Sequence, residues 1–303
     1  MTQHNDINRQ VYALLEDLST YGMKSEPRGQ KVVEANLCTL ELDPGKPIMN
    51  FETRPFNYRY FAGEVAWYLK RNSTIDFIKD FSSFWVALAD ENNEINSNYG
   101  SVLLADHPST RAFGPRNTKN QLEWVFNSLK KDKDSRQAVA FLNAPFYQYA
   151  GNKDFVCTMY LNFWIRHDNL DMKVQMRSND IFFGLTYDAP WFSLLHQSLY
   201  LNLKKEYPNL KLGMYYHSAD NIHYYERHFD LVETIINSPI QDSPLLRLKS
   251  PLFEFDKSGI KITEASNSYI AKVEAMVQEE KLGEKKKTNE EWKNVLSDIV
   301  DFE

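Results

Sequence analysis

The sequence predicts an α/β fold, in which helices and strands alternate along a single chain. Segments with helical periodicity alternate with segments in which every second residue is apolar. Of the 303 residues, 43% are hydrophobic and 14% are aromatic, which is enough to fill a sizeable core. The length allows one large domain or two small ones, and the sequence contains no internal repeat.

Five segments have the pattern of helices, over residues 6–21, 56–70, 118–130 and 188–206 and from residue 223 onward. Gly22 ends the first helix. Thr118 and Gln121 offer a capping box to the third. Asp188, which precedes an Ala-Pro pair, is expected to open the fourth.

Strands are predicted over residues 35–42, 137–143, 155–166, 170–177 and 211–216. The turn His167-Asp168-Asn169 joins the two long strands. Residues 91–117 are polar and irregular, which is typical of an active-site loop. After Pro251 the chain becomes helical and charged, and its Glu-Lys runs predict a solvated face.

Composition excludes several classes of protein. The net charge of −6 gives no general affinity for polyanions, so nucleic acid is not expected as a partner. There is no apolar run long enough to span a bilayer, and the polar start of the chain does not resemble a signal peptide. Cys38 and Cys157 are the two cysteines. These features predict a cytoplasmic protein without a metal site.

Three blocks carry residues suited to chemistry on a pyrimidine ring. The first contains Cys157, the second runs Arg-Ser-Asn-Asp from Arg177 to Asp180 and continues to Asp188, and the third is a His-x-Tyr pair, His223 and Tyr225. In this order the blocks resemble the thymidylate synthase family over roughly residues 20–240. The resemblance implies a large mixed sheet packed with helices and a homodimer formed through the sheet. It also implies a catalytic domain over residues 1–250, with residues 251–303 as a charged helical extension.

The resemblance also implies roles for residues in these blocks. Cys157 would attack ring carbon C6, and nearby cations such as Arg177 would lower its pKa. Taken alone, a cysteine in phase with apolar strand residues is typical of an inert core thiol. The phosphate would be bound by Arg28, Arg177, Ser178 and, from the partner subunit, Arg136.

The sugar and folate sides of the site follow from the same resemblance. His223 and Tyr225 would bind the sugar 3′-hydroxyl, although aromatic packing alone would account for such a pair. The co-substrate 5,10-methylenetetrahydrofolate would meet Glu64, Trp85, Asp180 and Gly184, with Asp180 also facing the nucleotide, and Tyr99 would lie near a water that takes up a proton. Glu64 is expected to be an acid with a raised pKa, or else a buried structural acid; Trp85 could equally be a core residue.

Asp188 stands where members of the family that use uracil have asparagine. A carboxyl group suits cytosine, because it accepts from the 4-amino group and, when neutral, donates to N3. An ionised carboxylate facing uracil would leave a buried charge unpaired. Considered alone, the position could instead be a helix N-cap. Asp188 therefore favours a cytidylate substrate, as in the deoxycytidylate hydroxymethylase branch of the family.

The resemblance implies a (deoxy)cytidylate 5-hydroxymethyltransferase, with deoxycytidylate favoured over cytidylate. The final residues, 297–303, do not match the short apolar cap of methyl-forming members, which favours water as the last reagent. Three alternatives remain open at this stage: methylation of the cytidylate at C5, action on deoxyuridylate, and a non-catalytic nucleotide-binding protein on the same scaffold.

Overall fold

A seven-stranded sheet forms the centre of the molecule. The computed structural model describes residues 5–106, 120–283 and 286–302. In chain order, the strands of the sheet are β1 (Met23–Ser25), β2 (Val32–Leu42), β3 (Val139–Phe141), β4 (Thr158–Arg166), β5 (Asn169–Met176), β6 (Asn179–Asp180) and β7 (Lys211–Tyr225). They are arranged as β1-β2-β7-β5-β4-β3, with β6 paired to β7. Strand β7 is antiparallel to β2 and parallel to β5, so the predicted large mixed sheet is confirmed.

Helices pack against this sheet and against one another. They are α1 (Ile7–Tyr21), α2 (Tyr58–Lys70), α3 (Phe84–Leu88), α4 (Tyr99–Leu104), α5 (Gln121–Lys131), α6 (Thr186–Leu203), α7 (Phe229–Ile236), α8 (Glu264–Lys281) and α9 (Asn289–Leu296). Short strands β8 (Arg247–Leu248), β9 (Phe253–Asp256), β10 (Gly259–Ile262) and β11 (Val300–Asp301) form two small sheets, β9 with β10 and β8 with β11. The α/β prediction is therefore confirmed.

Helix α6 crosses the core between β6 and β7 and is buried over most of its length. The Asp180 carboxylate receives the backbone N–H groups of Phe182 at 2.7 Å and Phe183 at 3.2 Å, which begins a π-helical turn. Helix α6 then begins at Thr186, two residues before Asp188. The expectation that Asp188 opens the helix is therefore wrong, because the turn capped by Asp180 starts the helical path earlier.

Two other predicted boundaries differ in the structure. The segment around His223 does not begin a helix; it continues β7, because its backbone pairs with β2 as far as the match of Tyr225 with Val32. Thr118 lies outside the described residues, and the N-cap of α5 is Asn120, whose side chain accepts from the backbone N–H of Glu123 at 2.8 Å.

Segment 91–117 is not irregular throughout, since its described part contains α4. Gly100 allows this helix to lie directly on α2: a Cβ atom there would stand 1.8 Å from the carbonyl oxygen of Tyr68. The neighbouring Tyr99 ring stacks on Tyr68, with ring centroids 5.4 Å apart. This close approach places the Tyr99 hydroxyl in the interior.

Residues beyond 251 begin with the hairpin β9–β10 before they become helical. Helices α8 and α9 then pack on α2: the Tyr269 hydroxyl donates to the Ala62 carbonyl at 2.8 Å, and Arg59 pairs with Glu280 at 2.8 Å. The Trp292 side chain is fully buried. The C-terminal segment therefore supports the helix that carries Glu64.

Candidate active site

Cys157 lies one residue before β4 and is half-buried. The predicted strand over residues 155–166 begins only at Thr158, and a register shift between Thr158 and Tyr160 breaks the alternation expected from the sequence. Arg177 holds this segment in place. Its backbone N–H donates to the Cys157 carbonyl at 2.8 Å, and its guanidinium donates to the Cys157 Sγ atom at 3.3 Å.

The pKa of the Cys157 thiol is raised, because burial outweighs the effect of the neighbouring cations. Arg177 and Arg28 lower it, whereas the carboxyl groups of Asp188 and Asp154 raise it further. The expectation of a net lowered pKa is therefore wrong. At neutral pH the thiolate is a minor form, and its population depends on the guanidinium at Sγ.

The Asp188 carboxyl group is held from β6 and α4. Its Oδ2 atom accepts from Asn179 Nδ2 at 2.7 Å, and the Tyr99 hydroxyl also donates to the carboxyl group. The N-cap position of α6 is Leu185, so Asp188 is not the helix cap. Burial raises the pKa of Asp188 to about 7. Near neutral pH both its ionised and its neutral forms are therefore present.

Gly184 is required for the contact between Asn179 and Asp188. A Cβ atom at Gly184 would lie 2.7 Å from Asn179 Nδ2 and 3.4 Å from Asp188 Oδ2. Any side chain there would displace the amide. The close contact with Asn179 therefore accounts for glycine at position 184.

A chain of hydrogen bonds leads from Trp85 to Glu64. The Trp85 indole N–H donates to the Tyr60 hydroxyl at 3.0 Å, and that hydroxyl donates to Glu64 Oε1 at 2.8 Å. Glu64 is 5% exposed, and burial raises its pKa to about 8. The raised pKa expected for Glu64 is confirmed, so the carboxyl group keeps its proton at neutral pH. Trp85 is buried, and its ring centroid lies 5.1 Å from that of Trp67.

Tyr99 connects Thr158, the first residue of β4, to Asp188. Its hydroxyl accepts from Thr158 Oγ1 at 2.8 Å and donates to the Asp188 carboxyl group. Thr158 follows Cys157 directly. The phenol therefore lies between the first residue of β4, which follows the thiol, and the helix that carries the carboxyl group.

His223 and Tyr225 lie on the same face of β7, with perpendicular rings and centroids 5.2 Å apart. Asn221 Nδ2 donates to Glu34 Oε2 at 3.0 Å, which orients the amide so that its Oδ1 accepts from His223 Nδ1 at 2.9 Å. Burial lowers the pKa of His223, so the ring is neutral near pH 7. With its proton on Nδ1, the ring presents Nε2 as a hydrogen-bond acceptor.

Ser178, Asp180 and Arg28 surround this histidine and the thiol. Ser178 Oγ lies 3.5 Å from His223 Nδ1, and Asp180 pairs with His223 across β6 and β7. Arg28 is exposed in a short turn with φ 54°, a left-handed conformation that is uncommon outside glycine. Burial raises the pKa of both Cys157 and Tyr225, and the charge of Arg28 acts in the opposite direction on both, so the guanidinium faces the site.

Arg136 does not join this cluster within its own chain. It is exposed before β3, near Ala138, whose carbonyl accepts from the Phe163 backbone N–H at 2.9 Å. Arg136 thus lies opposite the C-terminal end of β4, whereas Cys157 lies just before the N-terminal end of the same strand. At about 3.3 Å per residue the two are roughly 25 Å apart.

Several residues of the site were missed by the sequence analysis. Tyr60 lies one helical turn before Glu64, and Asn221 lies two residues before His223 on a strand, so helical and strand spacing could have indicated both. Asn179 lies in the Arg-Ser-Asn-Asp block, but no role was predicted for it. Arg54 has no local signal, yet its guanidinium donates to the Thr186 hydroxyl at 3.2 Å and helps to hold the start of α6.

Within the ranges that the structure describes, no group of three or more His, Cys, Asp or Glu side chains is placed to hold a metal ion. In the same ranges no helix combines the length and apolar character needed to cross a membrane.

The fold is that of a thymidylate synthase. The chain belongs to the thymidylate synthase family, whose model matches residues 9–277. The thermostable thymidylate synthase A from Bacillus subtilis has a similar structure, with a TM-score of 0.64 and 17% identity over 79% of this chain and 87% of that one. That likeness confirms the expected fold.

Two curated relatives are similar in sequence. A deoxyuridylate hydroxymethyltransferase of Bacillus phage SP01 is 29% identical over 202 residues, which are 66% of this chain and 52% of the relative. A deoxycytidylate 5-hydroxymethyltransferase of Enterobacteria phage T6 is 29% identical over 187 residues, 58% of this chain and 71% of the relative. The chain thus spans about half the length of the first of these relatives.

Proposed function

We propose that this protein hydroxymethylates C5 of a cytidine monophosphate, with deoxycytidylate favoured, using 5,10-methylenetetrahydrofolate and water. The observation that carries the proposal is the carboxyl group of Asp188, held by Asn179 and Tyr99 beside the Cys157 thiol. The relatives include enzymes named for deoxycytidylate and for deoxyuridylate. The preference for cytosine therefore rests on Asp188.

Asp188 complements cytosine in both of its protonation states. As a neutral acid it donates to N3 and accepts from the 4-amino group, and as a carboxylate it accepts from that amino group and from protonated N3. Its pKa of about 7 makes both states available. Uracil presents an oxygen at C4 and an N–H at N3, so the ionised carboxylate would repel O4.

Cys157 begins the reaction by adding its thiolate to C6, which breaks the C5–C6 double bond and makes C5 nucleophilic. Asp188 stabilises the charge that develops at N3 and the 4-amino group. When bound, the folate supplies a one-carbon unit at the oxidation level of formaldehyde, to which C5 forms a bond. A water near Tyr99 takes the C5 proton, and the bond between the one-carbon unit and tetrahydrofolate breaks, with tetrahydrofolate as the leaving group. A second water then adds to the resulting exocyclic methylene carbon, and Cys157 leaves to restore the ring.

The nucleotide's phosphate and sugar are matched by groups on the same side of the sheet. Arg28, Arg177 and Ser178 bind the phosphate, and Arg136 of a partner subunit completes this site in a homodimer. His223 Nε2 accepts from the sugar 3′-hydroxyl because its Nδ1 is committed to Asn221, and Tyr225 lies beside it. The same Arg177 that binds phosphate also stabilises the thiolate, so nucleotide binding and activation are connected.

The residues proposed for the folate are Glu64, Trp85, Asp180 and Gly184. The structure fits such a ligand in two ways. Glu64 holds a proton at neutral pH and can donate it to a nitrogen of the co-substrate. Phe183, next to Gly184, has a side chain that is 54% exposed and available to stack on a flat heterocycle. Trp85 acts through Tyr60, to which its N–H is committed.

Residues 1–250 form the catalytic part in this proposal, and residues 251–303 form an extension that supports α2. The tight packing of Tyr269 and Trp292 around α2 supports that division of roles. A cytoplasmic location is part of the same proposal. Deoxyuridylate hydroxymethylation is the second candidate, favoured by the relative from Bacillus phage SP01.

The proposal is tested by incubating the protein with 5,10-methylenetetrahydrofolate and each of dCMP, CMP, dUMP and UMP, with mass analysis of the products. A hydroxymethyl product from a cytidylate is expected, with dCMP used best. Cys157→Ser is expected to form no product while still binding nucleotide. Product from the uridylates alone would favour the second candidate. No product from any nucleotide would overturn the catalytic assignment.

A further inference from the structure

Asn179 is buried beside Asp188, and only the nitrogen of its side-chain amide has a hydrogen-bond partner among the described residues. Its Nδ2 donates to Asp188 Oδ2 at 2.7 Å, whereas its Oδ1 is buried without a hydrogen-bond partner among the described residues. A buried acceptor without a donor is costly. An apolar side chain of similar size would avoid that cost, so the amide at this position serves the group to which it donates.

The orientation of the amide determines which oxygen of Asp188 can carry a proton. An oxygen that accepts from an N–H group acts as the acceptor of a neutral carboxyl group, so the proton lies on the other oxygen, Oδ1. The reverse orientation would bring Asn179 Oδ1 against Asp188 Oδ2, and it would be tolerated only with the proton on Oδ2. Packing against Gly184 holds the side chain in this contact, and the ionised form of Asp188 accepts only the orientation that directs Nδ2 toward it.

From this geometry we infer that Asn179 is a specificity-determining residue: it directs the proton of neutral Asp188 to Oδ1, the oxygen that faces ring N3 in the proposed complex, and so prevents the carboxyl group from adapting to uracil. A neutral carboxyl group with a mobile proton can pair with either base. When the proton moves from one oxygen to the other, the donor and the acceptor change places, and the hydrogen-bond pattern that matches cytosine becomes the one that matches uracil. A fixed proton removes this ambiguity. The inference rests on the proposed role of Asp188 as the reader of the base.

Other ionisable groups also face Asp188. They come from every element packed around it: Glu64 and Tyr68 of α2, Tyr99 of α4, Cys157 before β4, and Tyr215 of β7. Asn179 and Tyr99 both donate to the carboxyl group and lower its pKa. Loss of the amide therefore moves the pKa of Asp188 upward, while Tyr99 remains as the second donor.

The test is calorimetric binding of dCMP and dUMP between about pH 5 and pH 9, without folate, to the wild type and to Asn179→Leu. The matched control is Asn202→Leu, which removes another buried amide, one that donates to the carbonyls of Ser198 and Phe253 at 2.8 Å. In Asn179→Leu the ratio of dCMP to dUMP affinity is expected to fall roughly tenfold or more, and the midpoint of its pH dependence is expected to rise. The control is expected to change neither.

An unchanged ratio, a changed ratio without a shifted midpoint, or an equal change in the control would overturn the inference. Should Asn179→Leu fail to fold, as judged by circular dichroism, Asn179→Ala serves the same test with no steric demand. The outcome is separable from that of the proposed function. A wild type that prefers dUMP would contradict the cytidylate assignment, whereas the effect of Asn179 is read from the change between variants.

Discussion

The guanidinium of Arg177 donates to the Sγ atom of Cys157 at 3.3 Å, and it reaches this position because it also donates to the Val156 carbonyl at 3.1 Å. The arginine is therefore fixed against the thiol before any ligand binds. Burial raises the pKa of Cys157, and Arg177 is the largest influence that lowers it. The reactivity of the thiol depends on the balance between these two effects.

Arg177→Gln is expected to raise the pKa of Cys157 further, because the positive charge that stabilises the thiolate is lost. The measurement is the rate of iodoacetamide alkylation against pH, without nucleotide, in a Cys38→Ser background. The midpoint is expected to move to higher pH. Arg9→Gln, which removes a surface arginine paired with Asp242, is the control. An unchanged midpoint would mean that the contact has no electrostatic effect.

Asp188→Asn is expected to shift preference from cytidylate toward uridylate. An amide supplies a donor for uracil O4 and an acceptor for its N3–H, and it can no longer donate a proton to cytosine N3. The measurement is the ratio of kcat/KM for dCMP and dUMP, which is expected to fall by about a hundredfold or more. A ratio equal to that of the wild type would show that Asp188 does not read the base.

Glu64→Gln is expected to lower activity and to raise stability at alkaline pH. The pKa of Glu64 is about 8 in the folded protein against an ordinary value of 4.5. Between these values the folded protein keeps a proton that the unfolded chain releases, so stability falls as pH rises from about 4.5 to about 8. Glutamine does not ionise, so the variant does not lose this stability as the pH rises.

The measurement for Glu64→Gln is Tm at pH 5 and at pH 8. The variant is expected to exceed the wild type by several degrees at pH 8, and the difference is expected to shrink toward pH 5. Glu226→Gln, which removes an exposed carboxylate paired with Lys31, is the control. A difference that is the same at both pH values would contradict the raised pKa.

A mixture of Arg136→Ala and Cys157→Ser proteins is expected to regain activity if Arg136 serves the neighbouring subunit. A mixed dimer then contains one site with neither defect, while the other site carries both. The wide separation of Arg136 from Cys157 within one chain supports this arrangement. The measurement is product formation after subunit exchange has been verified. Two parents that stay inactive after exchange would show that Arg136 does not act across an interface.

The local sequence pattern was sufficient to predict that β4 and β5 are paired strands and that α1 is a helix. It failed for the segment around His223, where the pairing of β7 with β2 extends the strand to Tyr225. That pairing joins residues nearly two hundred positions apart in sequence and leaves no local periodic signal. The block of tyrosines there is compatible with either element, and tertiary contacts decide between them.

Members of the candidate site could be proposed from residue type alone, whereas properties that depend on burial could not be predicted. Cys157, Asp188 and His223 could be named from their blocks. The direction of the pKa shift of Cys157 could not be predicted, because it depends on how much water the folded chain excludes around the thiol. The role inferred for Asn179 was equally hidden, since it depends on a contact with Asp188 that Gly184 makes possible.

The central claim is that Cys157 attacks a cytidylate and that water is the last reagent. Its most direct test is the reaction of dCMP and 5,10-methylenetetrahydrofolate in water enriched in heavy oxygen, with wild type and with Cys157→Ser, followed by mass spectrometry of the nucleotide. A hydroxymethyl product that carries the heavy oxygen is expected with the wild type, and no product is expected with Cys157→Ser. A 5-methyl product, a hydroxymethyl group without the heavy label, or equal turnover by Cys157→Ser would contradict the central claim.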